Sequence, residues 1–355
     1  MLPALSDLEV EVLRGKVKDL IEQIPHLKPQ KWIQNSLSTL LQMAEADWEV
    51  LDWKIVASSL EDLRRGYEVF YPYRHIRKIA IFGSSRISSD SLEYQLAVNF
   101  ARCVTAAGFM VLTGAGAGVM AGANQGAGAK QSFGLNIQLP FADQTNDFIA
   151  GDPKLIHFKY FFTRKLFFLR ESDAIALFPG GFGTLDEAFE TLTLMQTGKF
   201  DPAPLVLIDK PGGHYWHDWE NFVQTQLLRR GLISADDLSF YQITDNLEVA
   251  CQIITDFYRV YHSSRYVKDQ FVLRLKSELS DAEVAQLNTD FPDLLSQGKI
   301  EKSLALPAEQ GDETEQFPRL IFNFNRKNFG RLYQLIRQIN QLGVTSEATL
   351  HPEQK

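Results

Sequence analysis

Cysteine is nearly missing from this chain, with two in 355 residues. Cys103 and Cys251 stand far apart inside helical patterns, so neither a zinc spacing nor a disulfide framework follows. Both are expected to be small buried hydrophobes. Long apolar runs are missing as well: nothing approaches the roughly 20 residues of a membrane span. The opening residues, MLPALSDLEVEVLRGK, set acids where a signal peptide carries its apolar core. The cytoplasm is therefore the expected location, with no membrane partner. Positive charge is in deficit, with 36 Lys and Arg against 44 Asp and Glu and a net charge of −8. That disfavours general nucleic-acid binding, which wants a basic face, but leaves room for a local basic site holding one phosphate. His214 and His217 lack a cysteine or acid at ligand spacing and are read as surface or packing residues, so no metal is expected. No internal repeat and no low-complexity tract is present.

What is there is ordinary globular composition, 45% hydrophobic and 23% charged, in a chain long enough for one large or two modest domains. The most informative stretch is SDAIALFPGGFGTLDEAFETLTLMQTGK, residues 172–199. Ala174 to Phe178 has the length and apolarity of a buried strand. Pro179, Gly180, Gly181, Phe182 and Gly183 break it. A helical period then runs through Leu185, Ala188, Phe189, Leu192 and Met195. A strand, a glycine turn and a helix aim free backbone N–H groups and the positive end of a helix dipole at one point, which suits a phosphate. Glu187 admits two readings. Thr184-x-x-Glu187 fits a capping box, in which both residues serve the helix start. Alternatively Glu187 faces the cleft beside the phosphate turn, where a carboxylate can stabilise a developing oxocarbenium ion.

Residues 1–74 read as a helical region, interrupted at Pro25 and Pro29, with an aromatic end (Tyr67, Phe70, Tyr71, Tyr73) expected to pack on the next domain. RKIAIFG, residues 77–83, is a first parallel strand that runs into Gly83-Ser84-Ser85-Arg86. Leu92 to Ala107 is a helix closed by Gly108. FMVLT (109–113) is a second strand, leading into GAGAGVMAGANQGAGA (114–129). Gly114, Gly116 and Gly118 make a second phosphate-type turn. It fits a dinucleotide fingerprint only in loosened form, and no acid stands clearly at the required distance. FGLNIQL (133–139) is a third strand, ending at Pro140.

LIHFKYFFTRKLFFLR (155–170) reads as one helix, apolar around most of its circumference, with Arg164 and Lys165 in that apolar setting. Either both snorkel to solvent, or Arg164 holds a phosphate or ribose through its planar fork. LVLID (205–209) is a strand, and Tyr215–Arg230 and Leu247–Tyr261 are helices. From about Arg265 the texture becomes α+β: strands at 270–276 and 319–325, helices at 281–295 and 329–342, and an acidic linker PAEQGDETEQFP (307–318). The expected divisions are 1–74 helical, 75–264 Rossmann-like, 265–343 a small α+β module and 344–355 a disordered tail. The fold class is α/β, a Rossmann-like parallel sheet flanked by helices, with the helical region before it and the small module after it.

PGGFGTLDE resembles the PGGxGTxxE signature of the LOG ("lonely guy") family, once labelled lysine decarboxylase-like. An Arg-Lys pair upstream, here Arg164-Lys165, is similar in order and spacing. The GSS turn, the glycine turn and the GLNIQLP segment are weaker likenesses, and together the resemblance spans about Arg77 to Tyr261. It implies hydrolysis of the N-glycosidic bond of a nucleoside 5′-monophosphate, of the AMP or cytokinin type, to free base and ribose 5-phosphate. Arg164 and Glu187 would be catalytic. Substrate would be bound by Gly83 and Ser84, by Gly114, Gly116 and Gly118, by Lys165, and by Pro179, Gly180, Gly181, Phe182, Gly183, Thr184 and Asp186. No metal or organic cofactor is implied, and the family's habit implies a homo-oligomer, a dimer or larger. Departures from the pattern are Ala115, Ala117, Ala121, Ala142-Asp143 and Lys159, while Asn146 is retained. The same fold also carries nucleotides or molybdenum cofactor without cleaving them, which is the rival reading.

Overall fold

The computed structural model describes residues 7–22, 30–46, 48–139 and 145–349. The chain divides into two compact units, Met1–Leu63 and Arg64–Lys355. Three helices open it: α1 (Asp7–Glu22), α2 (Gln30–Glu45) and α3 (Val50–Phe70). In the first unit α1 packs on α2, and Arg14 pairs with Glu45 at 3.1 Å. The expected breaks at Pro25 and Pro29 lie outside the described residues. The end of α3 belongs to the second unit and explains the aromatic cluster. Phe70 is buried and stacks on Phe133 and Phe167, and Tyr73 meets Phe133 edge-on. Tyr71 is exposed.

The second unit is built on a seven-stranded parallel sheet. Its strands are β1 (Lys78–Phe82), β2 (Met110–Thr113), β3 (Ser132–Ile137), β4 (Leu155–Phe158), β5 (Ala174–Leu177), β6 (Leu205–Ile208) and β7 (Tyr241–Thr244), in spatial order β4-β3-β2-β1-β5-β6-β7. Every residue of β1, β2, β3, β5 and β6 is buried. That is why these strands are mostly apolar with no alternation: a parallel strand with helices on both faces has no polar side to show, and the few polar residues in them, Lys78, Thr113, Ser132 and Asn136, are buried too. The helices between them are α4 (Leu92–Ala106), α5 (Val119–Ala127), α6 (Phe161–Arg170), α7 (Phe182–Gln196), α8 (Tyr215–Phe222) and α9 (Leu247–Phe257). A π-helical stretch, Val223–Leu228, continues α8. The chain winds outward from β1 through β4, then returns to place β5 on the other side of β1. The switch point between β1 and β5, at the carboxyl ends of the strands, is where open α/β sheets bind ligands.

Residues 155–170 are not one helix. Leu155–Phe158 is the edge strand β4, paired parallel with Gly134–Ile137, and α6 starts only at Phe161. An apolar run carries no period of its own, so pairing with β3 decides its first part. The edge strand β7 falls in a stretch given no structure by pattern. Helix α9 stops at Phe257, short of Tyr261. The two cysteines are not separate thiols: Cys103 of α4 and Cys251 of α9 form a disulfide, with Cα atoms 6.5 Å apart, because α4 and α9 pack side by side.

The last part is a four-stranded antiparallel sheet, β8 (Tyr261–Val267), β9 (Gln270–Leu275), β10 (Leu295–Ser303) and β11 (Arg319–Phe324), in order β10-β11-β9-β8. Two helices join it, α10 (Asp281–Asp290) and α11 (Phe329–Thr349). Strands β8 and β10 were not expected. The β8–β9 turn is Lys268-Asp269, with Lys268 in the left-handed region at φ 55°, and it lacks the Asn-Gly type of signal that reveals such hairpins. The acidic segment is no free linker. Its Glu309 has 0% exposure and accepts hydrogen bonds from Arg274 (2.7 and 2.9 Å) and Arg319 (2.9 Å). Helix α11 runs beyond Gly343 to Thr349, so part of the expected tail is helical, and residues 350–355 lie outside the described ones.

Candidate functional site

Three turns meet at the switch point. The Ser84 N–H donates to the Pro179 carbonyl (3.0 Å), and the Val119 N–H donates to the Ser84 carbonyl (3.1 Å). Gly83 ends β1 against the side chain of Val119. Gly118 has φ +63°, and a Cβ there would lie 2.2 Å from the Ser84 carbonyl oxygen. Only glycine allows that approach. The second turn is clamped from above. Asn146 Nδ2 donates to the Gly116 carbonyl and to Asn124 Oδ1, both at 3.0 Å, and its N–H donates to the Ala115 carbonyl (2.8 Å). Thr113 Oγ1 donates to the same Asn124 oxygen at 2.7 Å. Ala115, where the resemblance expects glycine, holds φ 60° and is fully buried, a conformation that strains an L residue. Ala121 packs with Tyr94 and Val98 in the core. Ala142 and Asp143 lie outside the described residues.

The third turn starts α7. Its N-cap is Gly181 and no side chain caps it, so Thr184 already sits in the first turn. The capping-box reading of Thr184 and Glu187 is thereby corrected. Thr184 packs on Gly180 instead, where any Cβ would overlap its Oγ1. Gly181 and Gly183 have nothing within 4 Å of a would-be Cβ, and Phe182 between them is 94% exposed. The first N–H groups of a helix have no acceptor within it. Here they start from an open glycine surface suited to an anion. One residue that pattern reading passed over supports this turn: Tyr215 Oη donates to the Gly180 carbonyl at 2.6 Å. Its own N–H is held by Asp209 at 2.9 Å.

Released from capping, Glu187 is only 4% exposed and faces α6. Its Oε2 lies 3.1 Å from Lys165 Nζ, and its Oε1 lies 4.0 Å from Arg164 Nη2. Lys165 also reaches Asp186 (2.9 Å) and Glu190 (2.8 Å). Two cations thus face three carboxylates. Arg164 stacks on Phe161 and Phe168, and its Nη1 would be 4.0 Å from a Cβ on Gly114, so it bridges the acids and the second turn. The snorkelling reading does not hold, since both side chains are 15% exposed. Arg164 Nε and Glu187 Oε2 are buried without an aligned hydrogen-bond partner.

Burial pushes the Glu187 carboxyl above the usual carboxylate range, against the pull of Lys165 and Arg164. Burial lowers the Arg164 guanidinium from its usual value. It works against Lys165 too, but the hydrogen bond to Glu190 and the adjacent charges of Asp186 and Glu187 outweigh it and hold that amine above the lysine range. The structure therefore joins Gly83, Ser84, Gly118 and Pro179 through one set of turns. It sets Gly114 by Arg164 and Asp186 by Lys165. Lys165 is engaged by acids rather than facing open space. Asp186 is mostly exposed. Among the described residues, no group of three or more His, Cys, Asp or Glu is arranged to hold a metal ion, and no helix is long and apolar enough to cross a membrane.

Residues 117–254 match a family model described as "Possible lysine decarboxylase". A comparison with curated proteins finds no match. Among solved structures the chain is similar to the molybdenum cofactor binding protein of Rippkaea orientalis, with 18% identity, 49% of this chain and 92% of that one covered, and a TM-score of 0.36. It is similar to the molybdenum cofactor carrier protein of Chlamydomonas reinhardtii (18%, 50% and 94%, TM-score 0.35). It is also similar to the single-stranded-DNA-binding DNA processing protein A of Helicobacter pylori (18%, 50% and 79%, TM-score 0.34). Likeness at this level says nothing about ligand or activity. The matched segment takes in Gly118 at the end of the second turn, the third turn, Arg164, Lys165 and Glu187, and over residues 117–254 the chain is similar to the LOG family, whose model is described as possible lysine decarboxylases.

Proposed function

We propose that this protein hydrolyses the N-glycosidic bond of a nucleoside 5′-monophosphate, of the AMP or cytokinin riboside type, releasing free base and ribose 5-phosphate. The observation that carries the reading is Glu187: a carboxylate buried beside the phosphate-type turns, not used as a helix cap, and facing Arg164 at 4.0 Å. Burying a charge that is only partly paired is costly, so its retention here calls for a purpose. Here the purpose is to face the ribose as positive charge develops at its anomeric carbon, or to orient the attacking water. The N–H groups at the start of α7, around Gly180, Gly181, Gly183 and Thr184, take the 5′-phosphate. Arg164 adds charge from the side. Lys165 keeps Glu187 in place and ionised. The decarboxylase description fits less well, because three carboxylates hold Lys165 protonated, the wrong state for an amine nucleophile. The protein acts as a homo-oligomer and needs no cofactor in this reading.

The test is incubation of pure protein with a panel of nucleoside 5′-monophosphates, including a prenylated AMP, with free base read by chromatography. Release by the wild type that is lost in Glu187→Ala supports the hydrolase and names its base. Binding without release from any member of the panel would overturn it and leave a carrier of nucleotide or molybdenum cofactor.

A further inference from the structure

A second concavity lies on another face of α7. Its walls are Phe189, Leu192 and Gln196 from α7, Trp219 from α8, Leu227 from the π-helical stretch, and Tyr241 at the start of β7. The cavity measures about 110 Å³, somewhat less than the roughly 150 Å³ apolar cavity known to hold benzene. Phe189 lies roughly 200° around the helix from Glu187 at 3.6 residues per turn, so this pocket is separate from the phosphate turns.

Three observations give the pocket a chemistry. Its lining is aromatic, with Trp219 meeting Phe189 at 5.9 Å and Tyr241 at 5.3 Å between ring centroids. Trp219 Nε1 is buried with no hydrogen-bond partner, whereas the neighbouring Trp216 Nε1 donates to the Ile208 carbonyl at 3.2 Å. Most of the other polar groups are already engaged. Gln196 donates to Asp237 at 2.7 Å and Thr193 Oγ1 donates to the Phe189 carbonyl at 2.7 Å, whereas Tyr241 Oη, with Glu220 beside it, is like the indole buried without a hydrogen-bond partner. One wall is a π-helical turn, a feature that often marks functional sites. A buried water ordinarily makes about three hydrogen bonds, and the pocket leaves only the indole N–H and the Tyr241 hydroxyl without a partner.

We propose that this pocket binds a small neutral aromatic heterocycle that presents one ring acceptor to the indole N–H of Trp219. The ring stacks among Phe189, Trp219 and Tyr241. The far wall, residues 235–240, is tied to α11 by Gln334, which donates to Asp236 and Ser239. Occupancy therefore bears on both the helix of Glu187 and the C-terminal helix.

The test compares pyridine with benzene at pH 8, where pyridine is neutral. The two rings have the same shape and only one has an acceptor. In ¹⁵N-labelled protein the Trp219 indole signal is identified by its loss in Trp219→Phe. Pyridine is expected to move that signal, and ligand-observed saturation transfer is expected to show pyridine bound several-fold more tightly than benzene, the scale of one net hydrogen bond. Trp219→Phe should bring the two rings level, and Leu192→Trp, which fills the pocket, should abolish both. Equal binding of the two rings by the wild type, or an unmoved indole signal, overturns the proposal. So does an indole signal that depends on protein concentration and not on pyridine, since a second copy would then cover the pocket.

Discussion

Among the buried ion clusters of the second unit, those around Glu309 and Glu187 are built to different standards. Around Glu309 every charge is answered. Arg274 and Arg319 grip the carboxylate, Arg274 also reaches Asp312 at 3.1 Å, and Arg319 donates to the carbonyls of Thr314, Glu315 and Phe317. Around Glu187 the pairing is incomplete. Arg164 comes no closer than 4.0 Å, and Arg164 Nε and Glu187 Oε2 lack aligned partners. Fully satisfied networks specify and rigidify a fold; partly satisfied ones are expensive and collect at functional sites. The first cluster therefore reads as structure, and the second as a place prepared for a ligand.

Exchanging the two glutamates tests that contrast most directly. Glu187→Gln is expected to lower base release by about a thousandfold, within the range of lost charge stabilisation and acid–base catalysis, with little change in Tm. Glu309→Ala should do the reverse. It strands two buried guanidinium groups, and denaturant unfolding should show a loss of about 3–5 kcal/mol, while kcat of the protein that remains folded stays near wild type. If Glu309→Ala abolished kcat and Glu187→Gln cost only stability, the contrast would be wrong.

The pH dependence sharpens it further. Burial raises the Glu187 carboxyl, so a reaction that needs the carboxylate should fall as pH drops, with a midpoint above the ordinary glutamate value of about 4.3. That acid limb should vanish from the residual rate of Glu187→Gln. Stability has its own acid limb. His262 is pushed down to about 4 by burial and by Arg77, Lys276 and Arg274. The unfolded chain takes up its proton first, near 6.5. Stability should therefore fall as pH drops from about 6.5 through about 4, and His262→Gln should flatten that part of a Tm-against-pH curve.

Smaller effects are expected from the turns. Tyr215→Phe removes the hydroxyl that holds the Gly180 carbonyl. It should raise KM for the nucleotide several-fold with kcat nearly unchanged, because the turn binds phosphate in ground and transition states alike. A fall in kcat at constant KM would contradict a positioning role. Ala115→Gly relieves a left-handed alanine and should raise stability by at most about 1 kcal/mol, read as a Tm rise of a few degrees.

Much of this is legible in the residues alone. The runs KIAIF, MVLT, SFGLNI, AIAL and LVLI declare themselves, and so do the glycine turns that come after β1, β2 and β5. Glu187 could be singled out as a residue with two readings, but the choice between them could not be made. Helix α7 begins at Phe182 rather than Thr184, a shift of two residues that a glycine-rich turn does not advertise. The partners of Lys165 were illegible for another reason: Glu190 and Lys165 stand 25 residues apart, and only the packing of α6 on α7 brings them together. The Cys103–Cys251 bond and the grip on Glu309 are of the same kind.

By itself, then, the sequence determined the central sheet and its turns. Strands buried on both faces are mostly apolar with no alternation, and backbones that approach one another closely must be glycine. Tertiary structure alone decided the edge strands β4, β7, β8 and β10, and the membership of each ion cluster. A half-exposed strand takes its identity from a neighbour, and a buried charge takes its partner from whatever the fold sets beside it.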